Sequence, residues 1–553
     1  MNKKKVFGSF LLAFLWAVGF LVIHFSEDAS AAKAGVKPPE AVNGDVSIAG
    51  KVGNDNDETP GEWYIGEQPT NPKENAPVLL FVQGLNSTAQ VWWEDNDMYQ
   101  TAVNAGYQTA FLQLYDAGGA SADMWDNGQL LAEKIVEIYN YFDQTPLTIV
   151  AHSKGGVDTQ TALAYYDAWP YVNRVITLSS PHHGSELADL AYSSWAGWLA
   201  DLLGGQGEGT YSLQTAYMQD FRATIDAMPE AYYNDYYTMA GTDWGSMFSS
   251  LWMGGVYLSQ YGDNDGAVTV ASSRLPGGEE IAVGDWNHTM IRTGETFPVF
   301  EPYLGVNHLA QARISEVKSS NSVDVLTSKK PVFTPGSEKE VMETNPDTDL
   351  WIHGGELDSG ENGIQVAVED EVKELRVNLL TSKKPRNIYW VDPSGKQIAA
   401  EVETGADHTG IFHEAAYQGV QLKNPQPGEW TLRVDAEGKD AYLLVAEYVT
   451  DLGIDLNMKR TVQQAEQGLK QKQLETRINI NDRKIDQQSL TFTYKINKES
   501  SPSVVKSLPQ QAKSGLNHLI TLEEAEHIYN VTVEIEGKTK DGYLFKRTIV
   551  KSF

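Results

Sequence analysis

A serine that attacks a carbonyl carbon needs an accessible hydroxyl, a base for its proton and donors for the oxyanion that forms. The stretch Thr148-Ile149-Val150-Ala151-His152-Ser153-Lys154-Gly155-Gly156 offers the hydroxyl. An apolar run leads straight into Ser153, and a helical pattern follows over 158–166, so the serine falls on a strand-to-helix turn. Such a turn needs small residues two before and two after the serine, and Ala151 and Gly155 stand there. It lifts Oγ clear of the strand and turns it toward the helix N-terminus, where amide groups can hold negative charge. The bare pattern small-x-Ser-x-Gly is common, so the weight rests on this context; a serine capping an ordinary helix is the competing reading.

The base and its orienting group are sought downstream. Gly262-Asp263-Asn264-Asp265-Gly266-Ala267-Val268 follows one apolar strand pattern (235–241), and Asp285-Trp286-Asn287-His288-Thr289-Met290-Ile291 follows another (281–283). The expected set is Ser153 as nucleophile, His288 as general base and acid, and Asp265 holding the imidazole in its useful tautomer. Asp263 and Asn264 compete with Asp265. His308 competes with His288, although no strand pattern precedes it. The oxyanion needs two main-chain donors; the loop Gln83-Gly84-Leu85-Asn86 supplies Leu85 N–H, and the turn supplies Lys154 N–H. Both act through the backbone, so their side chains are not decisive. Trp92 and Trp93 either line an acyl pocket or are core aromatics.

Elements able to hold these residues alternate along the first half. Apolar runs at 78–82, 109–114, 147–151 and 175–178 read as buried strands. The clearest helical pattern between them, 128–142, carries Leu130, Leu131, Ile135, Ile138 and Tyr139 on one face. Strands alternating with helices imply parallel βαβ units and an α/β domain. The region 186–231 is too long for one crossover helix. Its apolar residues recur at helical spacing on both sides of Gly204, Gly205, Gly207 and Gly209, as an apolar lid hinged at the glycines or as a packed cap.

The pattern changes near residue 315: ten of the 14 tryptophans lie within 32–315 and three beyond it. The polar stretch 319–334 marks the boundary. Beyond it, strand-like segments at 375–379, 387–391, 430–434 and 441–448 are separated by Asp392-Pro393-Ser394-Gly395 and Pro425-Gln426-Pro427-Gly428, the spacing of a β-sandwich. The charged, Gln-rich segment 459–474 reads as helix or linker, and a second small β-domain follows. The expected organisation is a leader at 1–31, an α/β domain at 32–315 with its insertion near 186–231, a sandwich at 335–450 and a β-domain at 475–553.

The 553 residues carry 43 basic and 74 acidic side chains, a formal charge of −31, and no cysteine. That balance argues against nucleic-acid binding. Without cysteine there is no disulfide, thiolate metal site or cysteine nucleophile. Lys3, Lys4 and Lys5 precede an apolar run over 6–23, then Ala29-Ser30-Ala31. This is the grammar of an export signal cleaved after Ala31, with an uncleaved N-terminal anchor as the alternative.

Ala-His-Ser-Lys-Gly-Gly at 151–156, Ser-Pro-His-His-Gly-Ser-Glu-Leu-Ala-Asp at 180–189, Tyr-Tyr-Thr-Met-Ala-Gly at 236–241 and Asp-Asn-Asp-Gly-Ala-Val at 263–268 resemble the bacterial secreted triacylglycerol lipases of the α/β-hydrolase superfamily. The resemblance covers about 75–310, roughly half the chain. It implies ester hydrolysis through an acyl-enzyme, with Ser153, Asp265 and His288 matching the family triad in its order of nucleophile, acid, histidine. His182 and His183 break that order; they are expected to shape the floor of the site and start a helix. The chain departs from the family at Gln83, where many members have His, and at Lys154, where an apolar residue or Gln is usual. Some relatives carry a structural calcium near the catalytic histidine; its ligands have no residue-by-residue match here. No cofactor is required.

The function so implied is a secreted lipase acting on a lipid or ester. A polyester hydrolase acting on a polyhydroxyalkanoate or cutin, and a short-chain esterase, are its near rivals. The β-domains would then supply polymer or cell-surface contact. A non-catalytic surface-binding protein is the rival from another class.

Overall fold

The computed structural model describes residues 36–42, 58–118, 121–194, 207–305, 349–400, 402–406, 415–464, 470–480, 483–498, 508–511, 517–522 and 527–553. The leader at 1–31, the boundary segment 319–334 and His308 lie outside them. Among the described residues no helix is long and apolar enough to cross a membrane. Pro39–Phe553 forms one compact unit.

Eight strands build the first sheet: β1 (Glu40–Ala41), β2 (Trp63–Ile65), β3 (Val78–Val82), β4 (Thr109–Leu112), β5 (Leu147–His152), β6 (Val172–Leu178), β7 (Asp235–Gly241) and β8 (Glu279–Gly284), in the order β1-β2-β4-β3-β5-β6-β7-β8. From β4 to β8 every neighbouring pair is parallel, whereas β1 and β2 add on antiparallel. β3 and β5 are buried at every residue, as strands covered by helices on both faces must be. One face is packed by α1 (Met124–Tyr141), whose Leu131, Ile135 and Ile138 join Leu80, Val82, Ile149 and Ala151 in the core. Asp123 caps that helix by accepting from Trp125 and Asp126 N–H. This is an α/β-hydrolase fold.

The segment between β6 and β7 is helical where described: α2 (Glu186–Ala191), α3 (Glu208–Ser212) and α4 (Thr215–Ile225). Residues 195–206 of the expected lid lie outside the described residues.

The rest of the chain is antiparallel β. Strands β9 to β17 run Leu350–Leu357, Gly360–Val368, Glu374–Thr381, Asn387–Val391, Gln397–Ala399, Val402–Ala406, Ala416–Lys423, Gly428–Ala436 and Asp440–Val449. They form a five-stranded sheet, β14-β15-β11-β17-β9, and a four-stranded one, β10-β16-β12-β13. Trp390, Trp430, Val377 and Leu444 share one core between them. A second unit follows, with β18 (Ile454–Gln464), β19 (Lys470–Ile480), β20 (Ile485–Lys498), β21 (Leu508–Gln511), β22 (Asn517–Leu522), β23 (Tyr529–Thr539) and β24 (Leu544–Ser552). The expectation for 459–474 therefore needs correction. The described residues of this segment, 459–464 and 470–474, are neither helix nor linker but paired strand in the β18–β19 hairpin, and the second β unit begins before 475, at Ile454. The physical reason is alternation: Ile454, Leu456, Met458 and Leu474 are buried in the same core as Phe492 and Val533, with polar residues between them.

β24 does not stop at its own core. Its end lies on the insertion of the hydrolase sheet, where Ser552 Oγ accepts from Ala216 N–H (2.9 Å) and Asn530 Nδ2 donates to Gln214 Oε1 (2.7 Å). Tyr261 OH donates to the Val550 carbonyl (2.7 Å). Leu190, Phe248 and Trp252 share an apolar cluster with Leu350, Leu443 and Val550. Between the two β units, Arg547 pairs with Glu369; both are buried, and the guanidinium also lies 4.2 Å from the Tyr448 ring.

Candidate active site

Ser153 stands at the end of β5 with φ 54 and ψ −133, outside the regions an L-residue prefers, and α5 (Lys154–Gln160) starts directly after it. The turn closes because its neighbours are small: a Cβ on Gly155 would come 2.4 Å from the Gln83 carbonyl oxygen. The loop after β3 presses on the serine from the other side, since a Cβ on Gly84 would lie 2.8 Å from that of Ser153. Of the expected main-chain donors, Leu85 follows Gly84 and Lys154 lies between Ser153 and Gly155.

The structure brings Ser153, His288 and Asp265 together. His288 Nε2 lies 3.0 Å from Ser153 Oγ, and His288 Nδ1 lies 2.7 Å from Asp265 Oδ2. An ionised carboxylate only accepts, so the proton sits on Nδ1 and Nε2 is left to accept from the serine. Asp265 is fully buried, and its Oδ1 accepts from Ala267 N–H (3.0 Å) and Val268 N–H (2.8 Å). The Asp265 main-chain carbonyl accepts from His288 N–H (2.9 Å), so both side chain and backbone dock the histidine loop. The rivals have other places. Asp263 is exposed, and Asn264 is tied to Gly255, Gly262 and Gly266 backbone groups.

His152 underlies this set. Its Nε2 donates to the His288 carbonyl (2.7 Å), and burial, reinforced by His288 and Arg292, pushes its pKa well below the ordinary histidine value, so it is neutral. Trp92 is fully buried against Phe81 and lies edge-on to His152, which makes it core; Trp93 is half-buried against Phe111 and Tyr64. His182 is buried beside Thr177, and the turn it begins leads to Ser185, which caps α2. Among the described residues the carboxylates close enough to share a cation are Asp123, Asp126 and Glu208, not residues beside His288. Asp123 is already engaged as a helix cap, and no reaction step is assigned to a metal.

Sequence reasoning missed what lies behind the turn. Lys154 is fully buried, and its Nζ donates to both oxygens of Asp158 (2.9 and 3.0 Å) and lies 3.4 Å from Asp116 Oδ2. Its side chain is therefore not incidental. The i,i+4 spacing of Lys154 and Asp158 was the one signal available. A cavity of about 400 Å³ between the loops after β3 and after His288 was also not foreseen; polar Thr88, Gln90, Asn96 and Arg292 line it together with apolar Val91 and Met290.

Residues 123–193 match the family model described as a PGAP1-like alpha/beta domain. The solved structure of Bacillus licheniformis lipase BlEst2 in propeptide form is 32% identical, with a TM-score of 0.68, and the match covers 90% of this chain and 97% of that one. The same lipase in mature form is 46% identical, with a TM-score of 0.43, over 45% of this chain and 100% of that one. Triacylglycerol lipase 2 of Saccharomyces cerevisiae is 28% identical over 147 residues, which is 26% of this chain and 45% of the relative. The chain thus spans less than half the length of the curated relatives it matches. A relative matched along nearly its whole length, at this identity and on this fold, shows that the chain belongs to the family of the Bacillus licheniformis lipase, carboxylic-ester hydrolases of α/β-hydrolase fold.

Proposed function

We propose that the protein is a secreted serine hydrolase of triacylglycerols. The observation that carries this is the hydrogen-bonded series Ser153–His288–Asp265 at a strained strand-to-helix turn. Ser153 Oγ attacks the ester carbonyl carbon while His288 Nε2 takes its proton. Asp265 holds Nδ1–H and stabilises the imidazolium. The oxyanion is met by Leu85 and Lys154 N–H, and His288 then protonates the leaving alkoxide. Water, deprotonated by the same imidazole, releases the acid and restores the serine.

The test is hydrolysis of an emulsified long-chain triglyceride beside a soluble short-chain ester, with Ser153→Ala as control. Turnover of both, lost in the variant, supports a lipase. Turnover of the short ester alone refutes the triacylglycerol assignment in favour of an esterase or polyester hydrolase. Turnover that survives in the variant refutes the nucleophile.

A second reading concerns the β units. Two observations favour a removable propeptide: the relative matched over 90% of this chain was solved in propeptide form, and β24 is seated on α2 and α4 of the insertion, where Ser552 meets Asp189 and Ala216. Cleavage after the hydrolase domain should raise triglyceride turnover. Lower turnover, with retention of the β units on an insoluble polyester, would favour a substrate- or surface-binding role instead.

A further inference from the structure

Three charged side chains and an amide are buried together behind Ser153, drawn from three elements. Asp116 comes from the turn after β4, Asn127 from α1, and Lys154 and Asp158 from α5; none is more than 1% exposed. Burying such charges costs several kcal/mol each before pairing, and apolar side chains of similar size would fill the space at less cost. The arrangement therefore calls for a reason beyond packing.

The hydrogen bonds supply one. Asp116 Oδ1 accepts from Asn86 N–H (3.3 Å), the amide next to Leu85, while Oδ2 takes Lys154 Nζ and Asn127 Nδ2. Asn127 also donates to Asp158 Oδ2 (3.1 Å) and accepts from Tyr115 N–H (3.1 Å), so it is locked at both ends. One carboxylate thus touches both segments that carry the oxyanion donors. Both segments are held in uncommon backbone conformations, φ 50 at Asn86 and φ 54 at Ser153, which persist only where the surroundings enforce them.

We propose that the Asp116–Asn127–Lys154–Asp158 cluster is a positioning device that sets the spacing between the Leu85 and Lys154 amides of the oxyanion hole. The proposal rests on the reading of Ser153 as nucleophile. The charge states agree with it. Burial opposes the Lys154 ammonium, but Asp116, Asp158 and the nearby cap Asp123 outweigh it and keep the amine charged. Burial raises Asp158 to about 7 despite Lys154, with Asp116 adding to the rise, so the cluster keeps a proton in mildly acidic solution.

The experiment uses the full chain and first establishes wild-type turnover of a soluble p-nitrophenyl ester that Ser153→Ala abolishes. Absence of that difference defeats the underlying reading, whatever the cluster does. The neutral, near-isosteric variant Lys154→Met/Asp116→Asn/Asp158→Asn leaves no unpaired buried charge. We expect it to melt cooperatively, with kcat reduced about ten- to hundredfold and KM within about threefold. The inhibition constant of a trifluoromethyl ketone, whose tetrahedral adduct carries an oxyanion, should rise by the same factor as kcat/KM falls. If the triple variant does not fold, Asp116→Asn alone is held to the same proportionality. A folded variant with kcat near wild type, or a fall in kcat that leaves ketone affinity unchanged, overturns the proposal.

Discussion

Asp265→Asn removes one negative charge while keeping the shape of the side chain. In the wild type the imidazolium formed on proton transfer faces a carboxylate oxygen at 2.7 Å. At an effective dielectric of about 20, opposite unit charges at that distance attract by about 6 kcal/mol. The amide retains its carbonyl for Ala267 and Val268 N–H, which turns its NH2 toward His288 Nδ1. A donor there forces the imidazole proton onto Nε2, where it can no longer accept from Ser153. Because the surroundings relax around the neutral amide, less than the whole attraction is lost, about 4–5.5 kcal/mol, or about 10³–10⁴ in kcat. The assay is initial-rate hydrolysis of a soluble p-nitrophenyl ester near neutral pH, with thermal melts to show that the variant is folded. Asp263→Asn, at an exposed neighbour, should stay within about twofold of wild type. A folded Asp265→Asn variant within about tenfold of wild type, while Ser153→Ala is dead, would refute the assignment of Asp265.

Asp158 gives a pH signature: it ionises near 3.8 in the unfolded chain but at about 7 when buried, so the native state keeps a proton that the unfolded state has lost. Stability should therefore fall as pH rises from about 4 to about 7, by at most about 1.4 kcal/mol per pH unit, and Asp158→Asn should flatten that slope in urea titrations. An unchanged slope would remove Asp158 as its source. Arg547→Met strands the buried Glu369 carboxylate and should cost about 3–5 kcal/mol, most of it recovered in Arg547→Met/Glu369→Gln; equal losses in the single and double variants would contradict this. Gly155→Val should destroy activity with a loss of at least about 2 kcal/mol in stability, because its Cβ meets the rigid Gln83 carbonyl. Wild-type melting and turnover in that variant would show that the turn can relax.

What was legible from sequence is what short-range physics writes into neighbouring residues. Apolar runs such as 78–82 and 147–151 announce buried parallel strands because helices cover both their faces. The small residues at 151 and 155 announce the turn because anything larger would collide across it. The chain order of Ser153, Asp265 and His288 follows from one loop after each of three strands. The segment 459–474 was misread because its many charged and Gln residues hide an alternation that matters only once Phe492 and Val533 lie beneath it. On sequence Asp265 is preferred to Asp263 with the choice left open; the fold buries the first against His288 and leaves the second in solvent. It also gave the Lys154 side chain its partners: Asp116 and Asn127 are distant in sequence, and only the β3–β4 pairing and the docking of α1 bring them behind the serine. A reactive serine is a local design, whereas the spacing of its oxyanion donors depends on buried charges that meet only when the sheet is complete.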